Sequence, residues 1–145
     1  MTTQIRKQLL AGVSTGDRFS VTRTFTRDDM HMFTGLSHDH NPIHSNAAYA
    51  SAKGFKGLIC HGLHVGSLVT EIGGQLSMLA AGMNFRFRRP VYFGDTVTCT
   101  LTIDEMDEQG RVKCSAVFVN QKDETVIEGQ LFGTLPNNEE KAIIA

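Results

Sequence analysis

The chain has 145 residues, of which 41% are hydrophobic and 20% are charged, a composition that fits one globular domain. Its net charge of −1 at pH 7 lacks the basic surplus needed to bind nucleic acid or an anionic membrane, so neither partner is expected. Cys60, Cys99 and Cys114 are widely spaced and include no C-x-x-C pair, which argues against a disulfide framework and a zinc ribbon. No apolar run reaches the length of a signal peptide or a membrane span, and the sequence predicts a cytoplasmic protein.

The first third of the chain predicts a strand and then short helices. Apolar and polar residues alternate from Phe19, which indicates a half-buried strand. Thr26 followed three positions later by Asp29 is a capping-box signature ahead of an apolar helical pattern. This helix should lead to the octapeptide SHDHNPIH at 37–44, and residues 46–52 are expected to form another helical turn.

A longer helix is predicted from about His61, and we expect it to be the longest in the chain. Its apolar positions follow the spacing of one helical face: Val65, Leu68, Val69, Ile72 and Leu76. Glycine inside a helix costs about 1 kcal/mol against alanine, so the glycines of this segment indicate a neighbour that packs very close. They are Gly62, Gly66, Gly73 and Gly74.

The second half of the chain predicts four strands, near 83–87, 97–103, 112–118 and 126–132. Turn residues separate them, which favours an antiparallel meander and an α+β fold. We expect a single domain over residues 1–145, with a core over about 10–136 and a polar C-terminal tail, PNNEEKAIIA, after it.

The octapeptide holds a candidate acid/base pair. Pro42 fixes its own φ and drives Asn41 toward an extended conformation, so a stiff turn can aim Asp39 and His44 at one water molecule. Burial can raise the pKa of such a carboxylate toward the range of a general base. The same residues have a plainer interpretation, in which Asp39 and Asn41 only make the side-chain hydrogen bonds of a turn.

Other polar residues carry weaker signals. His38, His40 and His44 with Asp39 fit no standard ligand spacing, so no metal is expected. His61 is a candidate supporting group, whereas His31 and His64 have no predicted role. The basic residues of the loop and strand are predicted to be solvated, with phosphate binding as the lesser alternative; they are Lys53, Lys56, Arg86, Arg88 and Arg89.

The stretch Cys60-His-Gly-Leu63 places Gly62 at the start of the predicted long helix. Unpaired N–H groups and the positive end of the helix dipole suit a developing oxyanion there. Without a Cβ, Gly62 would let a carbonyl approach this backbone. An acid/base pair beside an oxyanion site suits chemistry at the α and β carbons of a carbonyl compound.

Three signatures together resemble the MaoC-like dehydratases, which include R-specific enoyl-CoA hydratases. They are Asp-x-Asn-Pro-x-His at 39–44, His-Gly at 61–62 and Phe-Arg-Arg-Pro-Val-Tyr-Phe-Gly-Asp at 87–95, and the resemblance covers about residues 15–135. It implies a hot-dog fold, in which a curved antiparallel sheet wraps a long central helix.

The resemblance also implies a reaction and roles for individual residues. A hydro-lyase of this kind would reversibly hydrate a trans-2-enoyl thioester of CoA or acyl carrier protein to the R-3-hydroxyacyl thioester, without a cofactor. Asp39 would take a proton from the water that attacks C3, and His44 would help deliver a proton to C2. Asn41 would shape the turn, and the Gly62 N–H would polarise the thioester carbonyl.

The resemblance leaves some features open. Some relatives place a serine hydroxyl near the pair, and here Thr70 or Ser67 would supply it. Exposed sheet edges favour a homodimer. The acyl tunnel would be closed by residues after the helix, namely Leu76, Met78, Leu79 and Met83. The alternative functions are a hot-dog acyl-CoA thioesterase and a non-catalytic protein that binds acyl thioesters.

Overall fold

A five-stranded antiparallel sheet and six helices make up the fold in the computed structural model, which describes residues 2–145. The elements are α1 (Gln4–Ala11), β1 (Arg18–Thr24), α2 (Arg27–Ser37), a 3-10 turn (Pro42–His44), α3 (Ala47–Ala52), α4 (Gly62–Gly66), α5 (Leu68–Gln75), β2 (Leu79–Phe87), β3 (Thr96–Met106), β4 (Arg111–Val119), β5 (Thr125–Thr134) and α6 (Asn138–Ile144). The predicted α+β class is confirmed. Within residues 2–145, every helix is too short or too polar to cross a membrane.

Helix α2 begins where the capping signature predicts. The Thr26 hydroxyl accepts from the Asp29 N–H, and the Asp29 carboxylate accepts from the Thr26 N–H. The helix ends at His38, which has a left-handed φ of 58° and turns the chain into the loop that follows. The predicted helical turn near 46–52 is confirmed as α3, which Asn46 caps.

The predicted long central helix is divided in two. Its apolar face is confirmed, since all five predicted positions are buried. Helices α4 and α5 meet at Ser67, however, so α2, with 11 residues, is longer than either, and the prediction of the longest helix is wrong. Near the junction the Ser67 and Thr70 hydroxyls donate to helix carbonyls, a local hydrogen bonding that bends helices.

Close packing explains two of the four glycines in this segment. A Cβ on Gly62 would lie 2.7 Å from Cε1 of Phe87, and one on Gly66 would lie 3.2 Å from Cε2 of Phe85. Among the described residues, nothing comes within 4 Å of the Cβ position at Gly73 or Gly74. The expectation of close packing is therefore correct for the first pair and wrong for the second.

The strand order differs from the predicted four-strand meander. The order is β1-β3-β4-β5-β2, so β3, β4 and β5 form a meander and β2 pairs with β5 at the sheet edge. Gly129 of β5 makes room for this pairing, because a Cβ there would lie 2.9 Å from Cδ1 of Phe85. Helix α5 contacts β1 at one edge, while α4 approaches β2 at the other, so the sheet wraps around the two helices.

Both ends of the chain join the fold. Leu9 of α1 is fully buried in the core, so the core begins before residue 10. The Arg6 guanidinium donates to the carbonyls of Gln75 and Gly74 at the end of α5. The predicted polar tail forms helix α6, capped by Asn137, and Ile144 packs against the core. The single-domain organisation over 1–145 stays a prediction.

Removing the Leu9 side chain tests whether α1 belongs to the core. We expect Leu9→Ala to lower the free energy of unfolding by about 2–5 kcal/mol, because a buried aliphatic side chain leaves a cavity. Lys7→Ala, on the exposed side of the same helix, is the matched control and should stay within about 0.5 kcal/mol. Urea unfolding of both variants measures this, and equal midpoints would contradict the assignment.

Candidate active site

A cleft of about 720 Å³ opens between the start of α4, the end of β2 and the loop that follows α2. The loop over residues 37–44, called the 37–44 loop below, contributes the polar side of the cleft, and aromatic and aliphatic side chains contribute the rest. The cleft residues are Phe33, Ser37, Asp39, His44, Phe55, Ile59, Cys60, His61, Gly62, Leu63, Val65, Phe87, Arg88, Arg89, Pro90, Val91 and Ile127. The predicted pair and the predicted oxyanion glycine therefore lie in one cavity.

Local hydrogen bonds hold the 37–44 loop in its shape. The Asp39 N–H donates to the Ser37 hydroxyl, and Asp39 Oδ1 accepts from the Asn41 N–H at 3.0 Å. Asn41 Oδ1 accepts in turn from the Ile43 N–H at 3.1 Å and caps the 3-10 turn that delivers His44. The turn-type hydrogen bonds foreseen for Asp39 and Asn41 are present, and they leave Asp39 Oδ2 available to the cleft.

Asp39 and His44 face each other with defined hydrogen positions. His44 Nδ1 lies 2.8 Å from the Ile59 carbonyl oxygen, which can only accept, so Nδ1 carries the hydrogen. In the neutral ring Nε2 is then an acceptor, and it lies 3.6 Å from Asp39 Oδ2. Two acceptors at this separation suit a water molecule that donates one hydrogen to each of them.

The Asp39 carboxyl is ionised at neutral pH. The hydrogen bond from the Asn41 N–H lowers the pKa of Asp39 below its usual value, and this effect is larger than the opposing effect of burial. This corrects the expectation that burial raises this pKa, because the Asp39 side chain is 47% exposed and desolvation is outweighed. Asp39 is therefore a permanent proton acceptor of modest basicity.

His61, at the start of α4, lies directly behind the pair. Its ring stacks on His44 with centroids 3.7 Å apart and planes inclined by 24°. His61 Nε2 lies 3.1 Å from the Asp39 carbonyl oxygen and donates to it, whereas the buried Nδ1 has no partner within the described chain. Burial lowers the pKa of His61, so this ring stays neutral at neutral pH.

Gly62 is the first residue of α4, where helical geometry leaves the N–H without an intrahelical acceptor. The space where its Cβ would lie is filled by the Phe87 ring. The expectation that the missing Cβ serves the approach of a carbonyl is thus replaced by a packing reason. Gly62 still lines the same cleft as Asp39 and His44.

Several predicted residues lie away from the pair. The Ser67 hydroxyl donates to the His64 carbonyl and the Thr70 hydroxyl donates to the Ser67 carbonyl, and neither residue lines the cleft. The expected tunnel residues after the helix, Leu76, Met78, Leu79 and Met83, are also absent from the lining drawn from residues 2–145. Sequence reasoning missed the actual apolar wall. Its members come from α2, α4, β2, β5 and the loops before α4 and after β2, and they are adjacent only in the folded chain.

The remaining polar groups of the cleft have other partners. Arg88 pairs with Glu128 at 2.9 Å and Arg89 with Glu124 at 3.6 Å, both on the surface. Burial raises the pKa of the Cys60 thiol to about 12, so Cys60 is not a nucleophile at neutral pH.

Asp39, His44 and His61 each place one possible ligand atom within 4.8 Å of the other two, a spacing that a metal ion could bridge. His61 Nε2 already donates to a carbonyl, so this nitrogen has no lone pair for an ion. A metal would require His61 to change tautomer, which would place a hydrogen on the buried Nδ1 that has no acceptor within residues 2–145. The donor set present therefore does not fit a resident cation.

Comparison with known proteins identifies the class of fold and then the family. The unliganded R-hydratase PhaJ1 from Pseudomonas aeruginosa superposes with a TM-score of 0.81 at 28% identity, over 89% of this chain and 86% of the other. The predicted hot-dog fold is thereby confirmed. The family model for the MaoC-like domain matches residues 12–125, and the chain belongs to this family.

Two relatives characterise the family further. The chain is 30% identical over 128 residues to the (R)-specific enoyl-CoA hydratase of Rhodospirillum rubrum, covering 86% of this chain and 89% of that protein. It is also 30% identical over 128 residues to the mitochondrial 3-hydroxyacyl-[acyl-carrier-protein] dehydratase of Arabidopsis thaliana, covering 84% of this chain and 77% of that protein. Both names describe lyases that add or remove water, and the predicted class of enzyme is confirmed.

His61, which is buried, and His64, which is partly buried, predict a pH dependence of stability. Burial lowers the pKa of His61 and His64 below the ordinary value of 6.5, so the unfolded chain binds more protons below that pH. The free energy of unfolding should therefore fall as the pH drops from about 7.5 to about 5.5. Urea unfolding at several pH values should show a smaller fall for His64→Gln than for the wild type.

His31→Gln is the matched control, since His31 is exposed on α2. It should leave the pH dependence unchanged. A His64→Gln profile as steep as that of the wild type would contradict the assignment of this dependence to buried imidazole.

Proposed function

We propose that this protein is an R-specific hydratase of trans-2-enoyl thioesters, which also dehydrates R-3-hydroxyacyl thioesters, with Asp39 and His44 as the acid/base pair. The proposal rests on one observation. Asp39 Oδ2 and His44 Nε2 face each other 3.6 Å apart, in a cleft that Gly62 also lines. The activities named for the relatives support the same reaction class.

In the proposed reaction, a water molecule held between the two acceptors attacks C3 of the enoyl group. Asp39 takes one of its protons as the O–C3 bond forms, and the π electrons move toward the thioester oxygen. The proton on Asp39 then crosses the short gap to His44 Nε2, which was the free acceptor, and His44 gives that proton to C2. One water is consumed, with its hydroxyl on C3 and its proton on C2, and both residues are restored.

Negative charge develops on the thioester oxygen between these steps. The Gly62 N–H, at the start of α4, is the proposed donor to that oxygen. The apolar wall of the cleft, which includes Phe33, Phe55, Phe87 and Ile127, provides a surface for the acyl chain. In this assignment no metal or redox cofactor takes part, because a carboxylate, an imidazole and a backbone donor supply every proton transfer and charge contact.

The thioester carrier, CoA or acyl carrier protein, would enter from the side where Arg88 and Arg89 line the cleft. Both guanidiniums are paired with surface carboxylates, and such exposed pairs are weak enough to exchange for phosphate or for an acidic carrier surface. The two carriers share this anionic chemistry, so the arginines do not distinguish between them.

We also propose a homodimer formed through the free edge of β2. This edge strand carries exposed apolar side chains, among them Met83 and Phe87, whereas the opposite edge strand β1 presents Arg18, Thr22 and Arg23 to solvent. Unpaired apolar edges associate, and charged edges resist association. The observed strand order therefore favours β2 over β1 as the pairing edge.

The reaction is tested by following the loss of enoyl-thioester absorbance of crotonyl-CoA and by determining the configuration at C3 of the product. We expect the wild type to form the R product. Asp39→Asn and His44→Asn should lower kcat about 100-fold or more while remaining folded, since general acid–base catalysis contributes about 10²–10⁴-fold.

His38→Asn is the matched control for this assay. His38 occupies a left-handed position at the end of α2, which asparagine tolerates, and its activity should stay near that of the wild type. Release of free thiol from acyl-CoA would instead favour a thioesterase. Binding of longer or branched enoyl thioesters without turnover would favour the non-catalytic alternative.

Sedimentation equilibrium tests the dimer. The wild type should sediment at twice the chain mass of 15.9 kDa. Met83→Glu places a charge on the β2 edge and should shift the mass toward the monomer, whereas Thr22→Glu on β1 should not. A fully active wild type at the monomer mass would refute the interface.

A further inference from the structure

The proposed pair of Asp39 and His44 shares a third, buried neighbour. His61 is 1% exposed and contacts both residues. It donates from Nε2 to the Asp39 carbonyl at 3.1 Å and stacks its ring on His44 at 3.7 Å. His61 thus holds the main chain at Asp39, and it also sets the orientation of the His44 ring.

The unpaired nitrogen of His61 indicates that packing alone does not account for this residue. Nδ1 is buried and lacks a partner within residues 2–145, and an unsatisfied buried acceptor destabilises a fold. Phe33 packs on the same ring, at 4.9 Å between centroids, so an aromatic hydrocarbon would suit these surroundings better. Phenylalanine would lack the Nε2–H of His61, which donates to the Asp39 carbonyl oxygen at 3.1 Å and also lies 3.4 Å from the Thr34 hydroxyl. Of these two contacts, the one to Asp39 reaches the pair.

The charge state of His61 is compatible with such a role. Burial keeps the ring neutral, while Asp39 and His44 are the titratable groups in contact with it. A neutral ring stacks on His44 without repulsion whether or not His44 carries its second hydrogen. Its free nitrogen is also enclosed by protein and does not compete with His44 for the proton in the cleft.

We propose that His61 is a positioning residue for the hydration reaction, holding Asp39 Oδ2 and His44 Nε2 at the separation that one water bridges. This inference rests on the proposed function of the Asp39 and His44 pair. His61 acts through these two residues and does not touch the reacting atoms.

Two substitutions separate the two contacts of His61. His61→Phe keeps an aromatic ring against His44 and removes the donor to Asp39, whereas His61→Gln keeps an N–H donor and removes the ring. We expect His61→Phe to lower kcat at least tenfold with KM within about twofold, because alignment of the pair is lost while substrate contacts stay. The kcat of His61→Gln should be at least threefold higher than that of His61→Phe.

His64→Gln is the matched control. His64 also stacks on Phe33, three residues further along the chain, but it contacts neither member of the pair and does not line the cleft. Thermal unfolding and circular dichroism establish that each variant is folded. A kcat of folded His61→Phe within threefold of the wild type, or an equal loss of kcat in His64→Gln, would overturn the proposal.

A spectroscopic readout keeps the inference separate from the reaction. In ¹⁵N-labelled wild type, His44 should show a single tautomer with hydrogen on Nδ1, and His61 should show hydrogen on Nε2. His61→Phe should broaden or shift the His44 signals, whereas His64→Gln should not. Undisturbed His44 signals in His61→Phe would overturn the positioning role even in an active enzyme, while an inactive wild type with the expected spectra would refute only the proposed reaction.

Discussion

The close approach of helix α4 to strand β2 is the constraint on which the rest of this structure depends. It favours glycine at positions 62 and 66, where a Cβ would lie 2.7 Å from the Phe87 ring and 3.2 Å from the Phe85 ring. The contact fixes the start of the helix against the end of an edge strand, and the cleft opens beside it. The same contact therefore positions both the backbone donor at Gly62 and the apolar wall at Phe87.

The polar side of the cleft is held by main-chain hydrogen bonds rather than by side-chain networks. Asp39 is held by the Asn41 N–H, His44 by the Ile59 carbonyl and His61 by the Asp39 carbonyl. Each of these contacts occupies one polar atom of a side chain in the cleft and leaves another polar atom without a main-chain partner. Because backbone groups cannot rotate away as side chains can, hydrogen positions in the cleft follow directly from the path of the chain.

Local features of the fold could be predicted from the sequence, whereas features that depend on distant neighbours could not. The Thr26 capping box and the apolar face of α4 and α5 are visible within a few residues, and both are correct. The position of β2 beside β5 depends on glycines of β5, which lie about 45 residues further along the chain. Gly129, for example, leaves room for the Phe85 ring. The glycines 62 and 73 look alike in sequence, and only the presence or absence of a packed ring distinguishes them.

The candidate site follows the same division. The turn chemistry of Asp39, Asn41 and Pro42 is local, so the sequence brings Asp39 and His44 together correctly. The stacking of His61 on His44 joins residues 17 positions apart, and no spacing rule predicts it. The direction of the Asp39 pKa was also missed, because it depends on the Asn41 N–H and on an exposure that only the folded loop reveals.

The two stacked imidazoles would compete for one proton if both presented a lone pair to the cleft, and main-chain geometry prevents this. His44 uses Nδ1 as a donor and presents Nε2 to Asp39, whereas His61 uses Nε2 as a donor and buries Nδ1. Only one imidazole nitrogen is therefore open to a bound water. Together with the ionised carboxylate of Asp39, this gives the cleft two acceptors for one water molecule, as the proposed addition of water to an enoyl thioester requires.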